Sequence, residues 1–218
     1  MRAFLVKGVP ALAMLAAPVA AYAAPLPSGI YTNEEEVYFD KEAKHPAAPW
    51  VGISVDPAGK VSFVDVYNHV VQATAYKALV LSETAGRVRM TLAGGRVTEL
   101  RRARTATCWG AVPKAVKKPD GSEDWSGARD LKLHDQGGRV RFGGGTTGSP
   151  ETELRMRNVI WPTGPSRPSL VLYVHKPDNF DHAASYSWAD PSAKMIGINL
   201  RWMQASCTID TTHEEKSQ

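Results

Sequence analysis

The sequence predicts an all-β fold, an antiparallel β-sandwich or barrel of about ten strands with one short N-terminal helix. Three observations support this prediction. Apolar and polar residues alternate with a period of two over many short segments, which is the pattern of half-buried strands. Turn-forming residues separate these segments at short intervals. Only one stretch, close to the N-terminus, has the signature of a helix.

That stretch is the acidic run after Thr32 and Asn33. Each of these two residues precedes a glutamate by three positions, Glu35 and Glu36 respectively, which is the spacing of a capping box. Acidic side chains are also favoured in the first turn of a helix. The sequence therefore predicts a short helix that extends to about Ala43.

The barrel alternative has one supporting motif. Gly29 and Tyr31, a glycine two residues before an aromatic on the first predicted strand, resemble the start of lipocalins. This tripeptide covers too little of the chain to assign a family. It indicates only that a barrel, if present, would be lipocalin-like.

The first predicted strand pair is a hairpin. Apolar and polar residues alternate over residues 51–55, a turn follows at residues 56–59, and a second apolar run covers residues 61–67. Two longer polar segments, residues 113–127 and 176–184, are interpreted as loops, where binding residues often concentrate. Further strands are predicted at residues 79–81, 87–92, 96–100, 131–134, 139–142, 153–161, 170–175 and 196–203.

Residues 1–23 have the features of a secretory signal peptide. A basic start containing Arg2 and Lys7 precedes an apolar run over residues 8–20, and an A-x-A cleavage site ends at Ala23. The run is shorter than the roughly 20 residues that a membrane-spanning helix needs. We therefore predict cleavage before Ala24, no transmembrane segment in the mature chain, and a periplasmic or secreted, bacterial protein.

Cleavage would leave 195 residues, interpreted as a single β-rich domain over residues 24–209 and a disordered polar tail over 210–218. The formal charge would fall from +4 to +2, because Arg2 and Lys7 are removed. A nearly balanced charge does not favour a nucleic-acid-binding protein, so we predict no nucleic-acid partner. The sequence indicates no cofactor.

The chain has two cysteines, Cys108 and Cys207. In an oxidising compartment a single pair has one connectivity, so the sequence predicts a disulfide that ties the middle of the chain to its end. Redox-active pairs are usually close in sequence, as in C-x-x-C, which favours a structural role.

Motifs that carry chemistry are sparse. The sequence contains no G-x-S-x-G, H-E-x-x-H or C-x-x-C motif, so no catalytic residue is assigned. Residues 143–148 match G-x-G-x-x-G, but Ser149, Pro150 and another predicted strand follow, whereas a dinucleotide site needs a helix there. We interpret this segment as a hairpin loop.

Four potential metal ligands lie within eight residues: His175, Asp178, Asp181 and His182. Their chemistry suits zinc or, through the carboxylates, calcium. However, the spacing matches no structural zinc pattern, and residues 177–179 are ordinary turn formers. We therefore predict no metal site. The alternative is that this loop binds a metal ion.

Acidic pairs for a glycoside hydrolase leave no signature in sequence spacing, because the fold alone brings them together. Asp65 is the one charge that interrupts an apolar run, between Phe63 and Val66. An inward position would make it a functional candidate, and an outward or edge position would make it an ordinary surface residue.

Arginines recur two residues apart on three predicted strands, so each pair shares one face of its strand. If the strands are neighbours, the pairs merge into a basic patch suited to phosphate or carboxylate groups. Two tryptophans beside turns are candidate glycan contacts. The arginine pairs are Arg87 and Arg89, Arg139 and Arg141, and Arg155 and Arg157; the tryptophans are Trp125 and Trp188.

We predict most strongly a binding or envelope-associated module for an anionic envelope lipid or a polysaccharide, through Arg139, Arg141, Arg155, Arg157, Trp125 and Trp188. The first alternative is a carbohydrate-active hydrolase with paired carboxylates, although the sequence favours a protein that is not an enzyme. The second alternative is a structural or interaction domain without a small ligand.

Overall fold

The computed structural model describes residues 26–71, 81–84, 87–92, 95–160 and 168–210. The predicted signal peptide, most of the polar tail, Trp161 and residues 79–80 lie outside the described residues. Within them, fourteen strands form three antiparallel sheets, and there is one α-helix. No described helix has the length and apolar character needed to cross a membrane.

The N-terminal sheet has six strands in the order β3-β2-β1-β6-β5-β4. Its core is a separate apolar cluster that includes Tyr31, Ile53, Met90 and Leu100, all fully buried. The strands are β1 (Gly29–Thr32), β2 (Gly52–Val55), β3 (Val61–Val64), β4 (Leu81–Thr84), β5 (Arg87–Thr91) and β6 (Val97–Arg102), and the helix α1 (Glu34–Glu42) lies between β1 and β2.

The two other sheets have four strands each and share one core, which makes the C-terminal part a β-sandwich. One sheet has the order β13-β14-β7-β8 and the other β12-β11-β10-β9. The strands are β7 (Thr105–Pro113), β8 (Trp125–His134), β9 (Gln136–Phe142), β10 (Thr152–Ile160), β11 (Pro168–His175), β12 (Ser185–Ala189), β13 (Met195–Leu200) and β14 (Met203–Ile209).

The predicted all-β fold is confirmed, as a sandwich rather than a lipocalin-like barrel; the described residues contain no closed barrel. The hairpin around residues 56–59 and the loop at 143–150 are also confirmed, the latter containing a short 3₁₀ turn at Gly145–Thr147. The predicted strand at residues 196–203 was wrong, because a turn at Arg201 and Trp202 divides it between β13 and β14.

The predicted helix is present, but its predicted cap is not. Asn33 occupies the N-cap without a side-chain cap hydrogen bond. Its amide instead donates to Pro49 O and Thr98 Oγ1, and its Oδ1 accepts from Val51 N at 2.7 Å. The side chain therefore joins three segments of the N-terminal unit rather than closing the helix.

The predicted disulfide is present. Cys108 on β7 lies directly opposite Cys207 on β14, and both side chains are buried in the sandwich core. The bridge therefore links two neighbouring strands that are 99 residues apart in sequence.

His134, at the end of β8, is a fully buried histidine. Its Nδ1 accepts a 3.3 Å hydrogen bond from Gln136 N, and its Nε2 has no hydrogen-bond partner among the described residues. Burial lowers the pKa of His134 from 6.5 to about 4, although the charge of Asp135 acts in the opposite direction. The folded protein therefore holds this imidazole neutral.

We expect His134 to lower the free energy of unfolding when the pH is lowered. Between pH 6.5 and about 4 the unfolded chain binds a proton that the folded chain excludes, so the free energy of unfolding decreases as pH falls through this window. The full effect is about 3 kcal/mol. Urea unfolding from pH 7 to pH 4 checks it against His134→Gln, which cannot titrate. The difference between the two proteins should change with pH, and parallel pH profiles would contradict the assignment.

Candidate functional site

Two of the three strands predicted to carry arginine pairs, β9 and β10, are neighbours, and they place their two pairs on one face. Arg139 lies directly opposite Arg155, and Arg141 lies opposite Glu153 on the next strand. Directly opposite residues of antiparallel strands share a face. We call the surface that carries Arg139, Arg141, Arg155 and Arg157 the arginine face; the other face of this sheet packs into the sandwich core.

The arginine face is not an open patch. Glu153 is fully buried at its centre, where it pairs with Arg139 and, at 2.8 Å, with Arg141 Nε. Tyr67 Oη donates a third hydrogen bond to Glu153, at 2.7 Å. Burial alone would raise the pKa of this carboxyl, but the bonds from Tyr67 and Arg141 and the charge of Arg139 hold it below its usual range.

A second carboxylate comes from the start of α1. Glu34 pairs with Arg155, and its Oε1 lies 3.3 Å from Arg157 Nε. The guanidinium carbon of Arg157 lies 3.8 Å from the centroid of the Tyr38 ring, on the same helix. Gly137 permits this approach, because a Cβ there would lie 2.5 Å from Glu34 Cδ. The helix thus covers part of the arginine face.

Positive charge exceeds negative charge in this cluster. Four guanidinium groups face two buried carboxylates, Glu34 and Glu153, and one exposed carboxylate, Glu151, which leaves an excess of one positive charge. The Nε atoms of Arg155 and Arg157 are buried and make no hydrogen bond within the described part of the chain. Burial lowers the pKa of Arg155, while the charge of Glu34 raises it. Such a cluster favours the approach of an anion.

The exposed part of the cluster is organised around Arg141. Its guanidinium carbon lies 4.0 Å from the Phe180 ring centroid and 5.2 Å from that of Tyr67, so the guanidinium contacts two aromatic rings. The Tyr67 ring is itself stacked near His69 at 6.0 Å. A cavity of about 300 Å³, lined by Tyr67, His69, Arg139, Val140 and Arg141, opens here. We call it the Arg141 cavity.

Asp65 builds the loop that supplies two walls of this cavity. It lies just after β3, and its Oδ1 accepts hydrogen bonds from the backbone N–H groups of Tyr67 and His69, both at 2.9 Å. Its Oδ2 lies 3.4 Å from His69 Nδ1. Asp65, the charge that interrupts the apolar run, therefore does not point inward from a strand. It fixes the backbone of this loop.

The candidate metal ligands do not converge. His175 is buried on the arginine face opposite Glu153, whereas Asp178, Asp181 and His182 are exposed in the following loop. No group of three or more metal-ligating side chains occurs among the described residues. Burial, and next the charge of Arg139, lower the pKa of His175.

Of the remaining candidate residues, only Trp188 lies on the arginine face. Trp188 on the edge strand β12 is 70% exposed, and the register Arg157, Val171, Trp188 places it on the arginine face. Trp125 begins β8 in the other sheet, opposite Pro113, and does not join this face. Arg87 and Arg89 lie in the N-terminal sheet, where both pair with Glu99, at 3.1 and 3.6 Å.

The hydrolase alternative requires two available carboxylates in a cleft. A cavity of about 530 Å³ beside α1 is lined in part by three glutamates. Glu35 pairs with Arg101, Glu36 accepts from Thr98 Oγ1 at 2.6 Å, and Glu99 pairs with Arg87. Each of these acids has a partner within the described residues, so this cavity does not favour acid–base catalysis.

Several site residues were not predicted. Glu153 is two residues before Arg155 on the same strand, so the alternation of side chains could have placed it on the arginine face. Glu34 and Phe180 reach the site from distant segments and leave no local signal.

Comparisons with protein-family models, curated proteins and solved structures found no match to this chain.

Proposed function

We propose that the protein is an exported binding module that holds a phosphate or carboxylate group of an envelope lipid or polysaccharide in the Arg141 cavity. The observation that carries the proposal is the excess of positive charge in a partly buried cluster beside an open cavity. Export is inferred from the leader features of residues 1–23 and agrees with the Cys108–Cys207 disulfide.

Arg141 is the residue placed to bind the anion. Its Nε is used by Glu153, and Glu151 Oε2 lies 3.8 Å from Nη1, beyond hydrogen-bond distance. The Nη atoms make no hydrogen bond within the described residues, so they are available to a ligand oxygen. Contacts with the Tyr67 and Phe180 rings restrict the Arg141 guanidinium, which reduces the entropy lost on binding.

The exposed indole of Trp188 supports a polysaccharide as the source of the anion. Aromatic faces provide large contact area to sugar rings at low entropic cost, and this one lies on the same sheet face as the arginines. A lipid headgroup would use the Arg141 cavity without needing Trp188.

The test compares Arg141→Gln with Arg89→Gln, an exposed arginine of the N-terminal sheet. Probes are polygalacturonate and phosphatidylglycerol vesicles, with dextran and phosphatidylcholine vesicles as uncharged or zwitterionic controls. We expect Arg141→Gln to weaken binding of the anionic probe by about tenfold or more, because a charge-assisted hydrogen bond contributes about 1.5–3 kcal/mol. Arg89→Gln should have no effect.

Two further measurements complete this test. Binding should weaken steeply with added salt, because exposed charges are screened over about 8–10 Å. Trp188→Ala should weaken binding to polygalacturonate but leave vesicle binding unchanged, which identifies the source of the anion. Equal binding of charged and uncharged probes, or equal effects of both arginine variants, would refute the proposal.

A further inference from the structure

A second cavity lies at one end of the sandwich, on the other face of the sheet that carries the arginines. Its volume is about 350 Å³, and both sheets of the sandwich line it. Trp202, in the turn between β13 and β14, comes from one sheet, and Thr152, at the start of β10, comes from the other. We call it the sandwich-end cavity.

The walls of the sandwich-end cavity are mainly apolar. The rings of Pro113, Pro150 and Pro177 line it together with the indole of Trp202. Trp202 also packs against the sandwich core. Walls of this kind suit an apolar molecule better than a sugar, whose hydroxyl groups would lose hydrogen bonds with water.

Two polar groups interrupt these walls. Thr152 is 1% exposed, and its Oγ1 has no hydrogen-bond partner among the described residues. A buried hydroxyl group normally has one, so this atom points to a missing partner. Lys176 Nζ lies 4.7 Å from the Trp202 ring centroid, and this lysine makes no ion pair in the described part of the chain.

Both groups line the sandwich-end cavity. Thr152 immediately precedes and Lys176 immediately follows the last registered pair of β10 with β11, Glu153 with His175. A hydroxyl and an ammonium group in one cavity wall are two hydrogen-bond donors that one carboxylate can accept. Asp178 also lines the cavity and is exposed, so its charge opposes that of the ligand.

We propose that the sandwich-end cavity binds a small apolar carboxylate, such as a medium-chain fatty acid. The apolar body contacts the proline rings and the indole, and the carboxylate accepts hydrogen bonds from Thr152 Oγ1 and Lys176 Nζ. This site is separate from the Arg141 cavity, so either proposal can fail without the other.

Calorimetric titration of the full chain with octanoate tests this site, with octanol as the uncharged control. We expect octanoate to bind and octanol to bind at least about tenfold more weakly, since the ion pair and its hydrogen bonds are lost. Lys176→Met should weaken octanoate binding by a similar factor. Asp178→Asn should tighten it at low salt.

Thr152→Val separates recognition from a structural role. It should weaken octanoate binding several-fold while the melting temperature stays unchanged or rises, because no hydrogen bond within the described residues is lost. The matched controls are Lys132→Met and Thr107→Val, which break a 2.8 Å lysine–threonine contact in the other sheet of the sandwich and should not affect binding. Absence of octanoate binding, equal binding of octanol, or a large loss of stability in Thr152→Val would overturn the proposal.

Discussion

Replacing Glu153 with glutamine is expected to lower the free energy of unfolding by about 3 kcal/mol, the largest effect of any single charge change on the arginine face. Glu153 is fully buried and accepts from Tyr67, Arg139 and Arg141. Without its charge, Arg139, 18% exposed, loses its carboxylate partner and lies opposite Arg155, which keeps Glu34. The effect lies at the lower end for a broken buried pair, because Arg141 is partly exposed.

The matched control is Glu99→Gln. Glu99 also pairs with two arginines, Arg87 and Arg89, but its side chain is 39% exposed. Exposed pairs of this kind contribute about 0–1 kcal/mol. Urea unfolding of both variants measures the contrast, and equal losses would show that burial of Glu153 does not matter.

A double-mutant cycle extends this measurement. If Glu153 and Arg139 act as a pair, Glu153→Gln combined with Arg139→Gln should cost less than the sum of the single changes. Additive losses would mean that each side chain contributes independently, and the cluster could then not be treated as one electrostatic unit.

Local patterns predicted most of the fold because its strands alternate. The hairpin around residues 56–59 and the adjacency of β9 and β10 follow from turn formers and period-two alternation. Strand β7 was missed because its inward residues are small. Gly110 is one of them, and it has to be small, since a Cβ there would lie 2.5 Å from the Phe142 ring.

Strand β12 was missed for a different reason. Its aromatic residues, Tyr186 and Trp188, are exposed on the arginine face instead of buried in the core. The contrast between a buried apolar face and an exposed polar face, on which strand prediction depends, is therefore absent in this segment.

The site was predictable only in part. The i, i+2 arginine pairs indicated a shared face, because side-chain alternation is a local property of the strand. Their compensation by Glu34 was not predictable, because Glu34 is 121 residues from Arg155 and reaches it through the packing of α1. Tertiary packing alone converts the predicted open patch into a partly buried charge cluster.

Removing the disulfide is expected to have the largest effect on stability. The bridge closes a loop of about 100 residues, for which the chain-entropy model gives about 4.7 kcal/mol, an upper value when the unfolded chain is compact. In a chain of this size, such a loss lowers the melting temperature by about 10 °C or more. Cys108→Ala with Cys207→Ala tests this without placing a polar group in the core, where both side chains are buried.

The control for this double variant is reduction of the unchanged protein. Dithiothreitol should lower the melting temperature of the natural chain toward that of the double-alanine variant and leave the variant unaffected, because only the natural chain has a bond to break. Intact mass after alkylation without reduction should show no free thiol, since Cys108 and Cys207 are paired. Two alkylated thiols in exported, unreduced protein would contradict the bridge. An unchanged melting temperature on reduction would instead show that the pairing of β7 with β14 already holds these strands together.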